Sequence, residues 1–178
     1  MRLPRPVLVG LFAGLTVVAS AGCAGADTSA AAEQTPIVAT SEISQDCGVD
    51  LASQTIQDAI ATLPTEPQTG RGWSTNPAGF QGNFDPCATL STAIVSIEGA
   101  TGSSPNHVLL FHQGEYVGTA TQKAYGLVSL DASASTDDTV VIAYRAPGTC
   151  TACNDGAVTT VGYHWDGTKV ETIGTPPN

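Results

Sequence analysis

The sequence predicts an α+β domain in which one N-terminal helix packs on a mostly antiparallel β-sheet of about six or seven strands. Three observations carry that prediction. Apolar residues Ile56, Ala59, Ile60 and Leu63 recur at helical spacing between Asp50 and Leu63. After Cys87 the period falls to two, with Ala93, Val95 and Ile97 alternating with polar residues and β-branched and aromatic residues dominating the rest of the chain. Turn-forming pairs, above all Gln113-Gly114 and Asp166-Gly167, then divide the second half at hairpin spacing.

A chain of 178 residues suits one domain. Its first segment is an address rather than a part of the fold: Arg2 and Arg5 precede an uncharged run over residues 7–20, shorter than the ~20 residues a membrane span needs. Residues 1–22 are therefore expected to be a signal peptide. Ser20-Ala21-Gly22-Cys23 resembles a bacterial lipobox, in which small residues precede a cysteine whose thiol receives a diacylglycerol and becomes the first residue of the mature chain. The alternative is cleavage after Ala19-Ser20-Ala21, giving a secreted protein with Cys23 free. Parity favours lipidation at Cys23, because five cysteines in an exported chain leave one unpaired, whereas four suffice for two disulfides. Two or three acyl chains anchor stably where one does not.

Residues 23–44 read as the lipidated cysteine and a flexible tether of Ala, Ser, Thr, Gly and Glu, and 45–178 as a single globular domain. Asp50 or Ser53 can cap the helix and Pro64 stops it. Residues 65–86 carry many Gly, Pro and Asn with Trp73, Phe80 and Phe84 among them, which predicts a long irregular loop pinned by its aromatics. Strands are expected near 89–98, 107–112, 115–120, 127–132, 139–145, 157–165 and 168–173. In the first hairpin Phe111 is expected to face Tyr116, Leu110 to face Val117 and His112 to meet Glu115. In the last, pairing Trp165 with Thr168 puts Val161, Tyr163, Trp165, Val170 and Thr172 on a core face and His164, Lys169 and Glu171 on a solvent face.

Composition excludes several functions. The chain has 6 Lys+Arg against 16 Asp+Glu, a formal charge of −10, and without Arg2 and Arg5 it is more acidic still. No basic stripe is left to hold phosphates, so nucleic acid is not an expected partner.

Candidate chemistry is sparse. Cys150-Thr-Ala-Cys153 has redox spacing, but Asn154-Asp155-Gly156 comes after it as a turn, so no helix lowers the pKa of Cys150 and a structural disulfide is favoured. Four cysteines allow three connectivities; Cys47 with Cys87 and Cys150 with Cys153 is preferred, the first closing a loop of about 40 residues. His107 and His112 are five apart on one strand and point to opposite faces, and His164 falls on the solvent face of its hairpin. All three are expected to be ordinary surface or edge residues. Asp137-Asp138 reads as a solvated turn, the glycines at 70, 72, 79 and 82 match no phosphate loop, and no G-x-S-x-G elbow is present. No catalytic, cofactor-binding or metal site is assigned, and the protein is not expected to be an enzyme.

Several segments together resemble the LppP/LprE family of actinobacterial lipoproteins. They are Asn83-Phe84-Asp85-Pro86-Cys87-Ala88-Thr89-Leu90-Ser91, Ser103-Ser104-Pro105, the run from Val108 through His112-Gln113-Gly114-Glu115 to Ala120, Asp137-Asp138-Thr139-Val140-Val141 with Tyr144-Arg145, and Tyr163-His164-Trp165-Asp166-Gly167. The resemblance implies an exported envelope protein on the outer face of the cytoplasmic membrane, and brings no enzymatic activity or cofactor. Beyond the membrane reached through Cys23, the expected partner is an envelope protein bound by a non-catalytic interaction module. The alternative is a small apolar or envelope-derived ligand, and an uncharacterised enzyme is the third possibility.

Overall fold

Ser53 opens α1 (Gln54–Ala61), its hydroxyl accepting the Thr55 amide at 3.3 Å. Asp50 instead caps the turn before it, accepting from the Ala52 amide at 2.9 Å. Ile56, Ala59 and Ile60 form the buried stripe, and the helix tightens at its end, where the Thr62 and Leu63 amides donate to Ala59 and Ile60 three residues back. The computed structural model describes residues 46–150, 153 and 155–177; the expected signal peptide, Cys23 and the expected tether up to residue 44 lie outside the described residues. All the described residues fall within one compact unit.

The loop after α1 is pinned as its aromatics predict. Trp73, Phe80 and Phe84 are buried, and the Trp73 indole donates to the Pro64 carbonyl at 2.8 Å. A short 3-10 turn, Pro77–Gly79, leads into β1 (Gln81–Gly82). Gly82 has φ +136°, and a Cβ there would stand 2.2 Å from the Thr92 carbonyl oxygen, so any side chain would push β1 off its neighbour.

The remaining strands are β2 (Ser91–Ser96), β3 (Asn106–His112), β4 (Glu115–Thr119), β5 (Val128–Leu130), β6 (Thr139–Arg145), β7 (Val158–Trp165) and β8 (Val170–Ile173). They form two sheets, β1-β2-β3-β4 and β5-β6-β7-β8, each four-stranded and antiparallel throughout. This corrects the expected fold class: the described residues are mostly β and build two sheets, where one sheet of six or seven strands was expected. The physical reason is visible in β3, where Val108, Leu109, Leu110 and Phe111 are all buried. A run without alternation needs apolar cover on both faces. Leu109 and Phe111 with Ala93, Val95 and Ile97 meet α1 and the loop aromatics. Val108 and Leu110 with Ile94 meet Val140, Ile142, Tyr144, Val161 and Tyr163 of the second sheet. The first sheet is thus the middle layer, with a core on each side.

Two hairpin registers also differ from expectation. Gln113 and Gly114 turn with φ +48° and +79°, and His112 pairs with Glu115 and Phe111 with Tyr116 as expected. A bulge then puts Leu110 opposite Gly118 instead of Val117. In the last hairpin Trp165 pairs with Val170 and not Thr168. The cause is the Asp166 carboxylate, which accepts from the Thr168 and Lys169 amides at 2.7 and 2.9 Å and so moves the tight turn further along the chain. Because the pairing shifts by an even step, Tyr163, Trp165 and Val170 keep their place in the core between the sheets.

Candidate functional site

A cleft of about 740 Å³ lies at one end of the two-sheet core. Its position is set by the connection between the sheets. Tyr125 exchanges two backbone hydrogen bonds with Asn106, at 2.8 and 3.0 Å, which ties the crossing segment to the start of β3. Leu127, two residues on, has φ +53°, a left-handed backbone that a branched side chain seldom adopts. It is held there because its carbonyl accepts the Arg145 amide at 3.1 Å, and strain of this kind persists where the surroundings over-determine it.

Aromatic rings line the inner end. Tyr125 and Tyr144 meet edge to face at 5.3 Å, and the Tyr144 and Tyr163 hydroxyls are 2.8 Å apart. Burial pushes both of those phenols up, and for Tyr144 the neighbouring Tyr163 adds to the effect, so the pair stays neutral and each hydroxyl is satisfied without water. The outer wall is the loop after β6. Ala146 donates to Ala157 at 2.8 Å, the Asp155 carboxylate accepts from the Thr149 amide and hydroxyl at 3.0 and 2.7 Å, and these hydrogen bonds hold it below the usual carboxylate range. The Cys150–Cys153 disulfide staples that loop. Across the mouth, the Tyr125 hydroxyl donates to the Pro177 carbonyl.

The four cysteines expected to pair do so as Cys47–Cys87 and Cys150–Cys153, with sequence separations of 40 and 3. The histidines stand apart. His107, expected at a surface or edge, is instead 7% exposed, its ring 4.6 Å from that of Trp73 and its Nδ1 without a partner. Burial pushes its pKa down, with the Glu66 carboxylate acting in the opposite sense. Glu66 is itself 3% exposed; burial alone would raise its carboxyl, but hydrogen bonds from Thr69 and Gln68 outweigh that and hold it low. His112 lies on the opposite face of β3, stacked on Trp165 at 3.8 Å, with Nδ1 2.6 Å from the Thr89 carbonyl oxygen. His164 Nδ1 is 3.0 Å from the Thr139 hydroxyl and 3.8 Å from Asp138. Asp137 and Asp138 do not converge: Asp137 accepts from the Thr89 hydroxyl at 2.7 Å and Asp138 from Thr136 and Thr139. Among the described residues no group of three or more His, Cys, Asp or Glu could hold a metal ion.

Sequence reasoning singled out no residue for the cleft. Tyr144 could have been found, since the alternation Val140, Ile142, Tyr144 carries the buried phase of β6 almost to its last residue and leaves a phenol at the end of the core. Leu127 and Tyr125 carry no such signal, because their placement depends on a crossing between sheets.

Comparison with known proteins bears on family and not on the cleft. The chain is 29% identical over 197 aligned residues to "Putative lipoprotein LprE" of Mycobacterium bovis, covering 96% of this chain and 93% of that protein. The protein of the same name from Mycobacterium tuberculosis H37Rv matches equally. That of Mycobacterium leprae is 33% identical over 127 residues, 71% of this chain and 59% of its own length. No solved structure matches. Among the described residues no helix is long and apolar enough to cross a membrane. Residues 82–168, from β1 to the last hairpin, fit the LppP/LprE lipoprotein family, and the chain belongs to it.

Proposed function

We propose that the protein is a lipoprotein of the cell envelope, anchored through Cys23 at the outer face of the cytoplasmic membrane, whose domain holds a small apolar or amphiphilic envelope-derived molecule without turning it over. The observation that carries the binding role is the cleft of about 740 Å³ lined by Tyr125, Leu127 and Tyr144. Its size lies in the range of small-molecule sites, and its walls are mainly apolar with a few polar groups. Binding without catalysis is favoured by the lining, which offers no nucleophile beside a base, and by the three histidines being engaged in separate places. The names of the mycobacterial relatives support the anchor.

Native mass spectrometry of protein purified from its own host tests the binding role. A non-covalent small-molecule mass is expected, and it is expected to fall away in Tyr125→Ala. Protein that arrives empty but bound to another protein would instead establish an interaction module, a reading favoured by Val158 and Ile173, 48% and 57% exposed. Cell fractionation of Cys23→Ala tests the anchor: the variant is expected to leave the membrane fraction or remain an uncleaved precursor, and mature protein retained on the membrane would overturn it.

A further inference from the structure

After Ile173, which pairs with Gly162 of β7, the chain leaves the second sheet and reaches the mouth of the cleft. Gly174 makes the bend with φ +99°, a left-handed backbone that costs glycine little and other residues more. Pro176 and Pro177 come next but one and next but two. Neither has an N–H, so the segment cannot lengthen the β7–β8 ladder, and two prolines in a row make a stiff extended piece that moves as a unit. Both are half-buried, and Pro177 lines the cleft. Among the described residues, the bond from the Tyr125 hydroxyl to the Pro177 carbonyl is the one hydrogen bond that residues 175–177 make. The segment is thus hinged at one end and caught at the other by a single neutral hydrogen bond.

Resting on the binding role proposed above, we infer that residues 174–177 are a strap that gates the cleft, with the Tyr125 hydroxyl as its catch. The catch is fixed in place. The Tyr125 ring meets that of Tyr144 at 5.3 Å, the Lys123 ammonium lies 4.8 Å from its centre, and the Tyr125 backbone is bonded twice to Asn106. The strap is the looser partner: it follows β8, an edge strand bonded to β7 alone and exposed at three of its four residues. Beyond Gly174 the catch is therefore its one directional restraint. With the strap in place the cleft still has a volume of about 740 Å³, so the strap covers the opening and does not fill it. It closes over an empty and a filled cleft alike, which slows entry and exit by the same factor and leaves affinity to the wall of Leu127 and the tyrosine rings.

The probe is hexadecanol, a neutral chain suited to mainly apolar walls. Its uptake by the emptied full-length protein, and its later replacement by perdeuterated hexadecanol, are followed by native mass spectrometry of protein released from micelles. Tyr125→Phe keeps the ring and removes the catch. Uptake and replacement are both expected to become about fivefold faster, the weight of one neutral hydrogen bond in the balance between closed and open strap. A chain ending at Gly174 is expected to exchange at least as fast, and Tyr125→Phe within that shortened chain to add nothing, because the partner of its hydroxyl is already gone. Rates unmoved in both variants would overturn the gate while leaving the binding role in place. Faster uptake with unchanged replacement would also overturn it, by showing that the tail competes for the cleft instead of covering it. Further acceleration by Tyr125→Phe in the shortened chain would overturn the catch, since the hydroxyl would then act on the bound molecule itself. No hexadecanol on the wild-type protein would overturn the binding role and the gate together.

Discussion

The two faces of the middle sheet are finished differently. On the α1 side, Phe84 and Phe111 pack edge to face at 4.7 Å and Trp73, Phe80 and Ile56 join the same core, which leaves a small pocket of about 170 Å³ beside Phe80 and Ile97, with the Cys47–Cys87 disulfide fastening that layer to the chain ahead of β2. On the other side the second sheet covers Val108 and Leu110 but ends in the Tyr125–Tyr144 cleft. A second groove of about 510 Å³ opens between β4 and β8. One face thus carries stability, and the other gives up some packing for an opening.

Substitutions can break that contrast. Phe111→Ala, in the closed face, is expected to lower the unfolding free energy by roughly 3 to 5 kcal/mol in urea titrations, with the cleft of the remaining folded protein still able to bind. Equal loss of binding in folded protein would show that the two faces are coupled. Cys87→Ser is expected to cost roughly 4 kcal/mol and Cys150→Ser about 1.5 kcal/mol, in keeping with the lengths of the closed loops. Reversal of that order would mean that the short loop is pinned mainly by its disulfide and not by Asp155.

Tyr163→Phe removes one hydroxyl partner of the buried Tyr144 phenol and is expected to cost about 1 kcal/mol by thermal unfolding. A smaller effect comes from pH. Burial holds His107 below its ordinary value of 6.5 in the folded protein, so the unfolded chain takes up the proton first and stability is expected to decline as pH falls below 6.5. The carboxylates Asp131, Asp138, Asp155 and Asp166 are held below their ordinary value of 3.8, and their contribution is lost only in stronger acid. His107→Gln is therefore expected to flatten the upper part of a stability-against-pH curve and leave the lower part. The least change is expected for Leu127→Gly: relief of the left-handed backbone offsets the lost half-buried side chain, leaving stability within about 1 kcal/mol while small-molecule occupancy falls.

How much of this was legible in the sequence depends on how local the cause is. The span of α1, β6 at residues 139–145 and the two positive dihedrals at Gln113 and Gly114 are set by spacing and turn chemistry within a few residues. The division into two sheets could not be read from the alternation of Ala93, Val95 and Ile97, because Ile94 in the opposite phase is also buried and its partners lie in another sheet. The unbroken apolar run at 108–111 was the available signal, and it indicates cover on both faces. His107 escaped for a similar reason: only the folded loop brings Trp73 and Glu66 to it. The cleft was the least legible feature, since Tyr125, Leu127 and Arg145 are brought together by the crossing between sheets and by the stapled loop.

The Cys47–Cys87 link also sets a load path. Tension arriving from upstream of residue 47 passes through the sulfurs to Cys87 and enters the fold just ahead of β2. Helix α1 and the loop up to Phe84 lie on the longer of the two covalent routes between Cys47 and Cys87 and so bear the smaller share of it. β2 is hydrogen-bonded on both edges, to β1 and β3, so the pull is met by strands that must slide together rather than by a helix that can be peeled away turn by turn. A domain pulled from its N-terminal side would, by this arrangement, take up the force in the middle sheet before its helical cover is loaded.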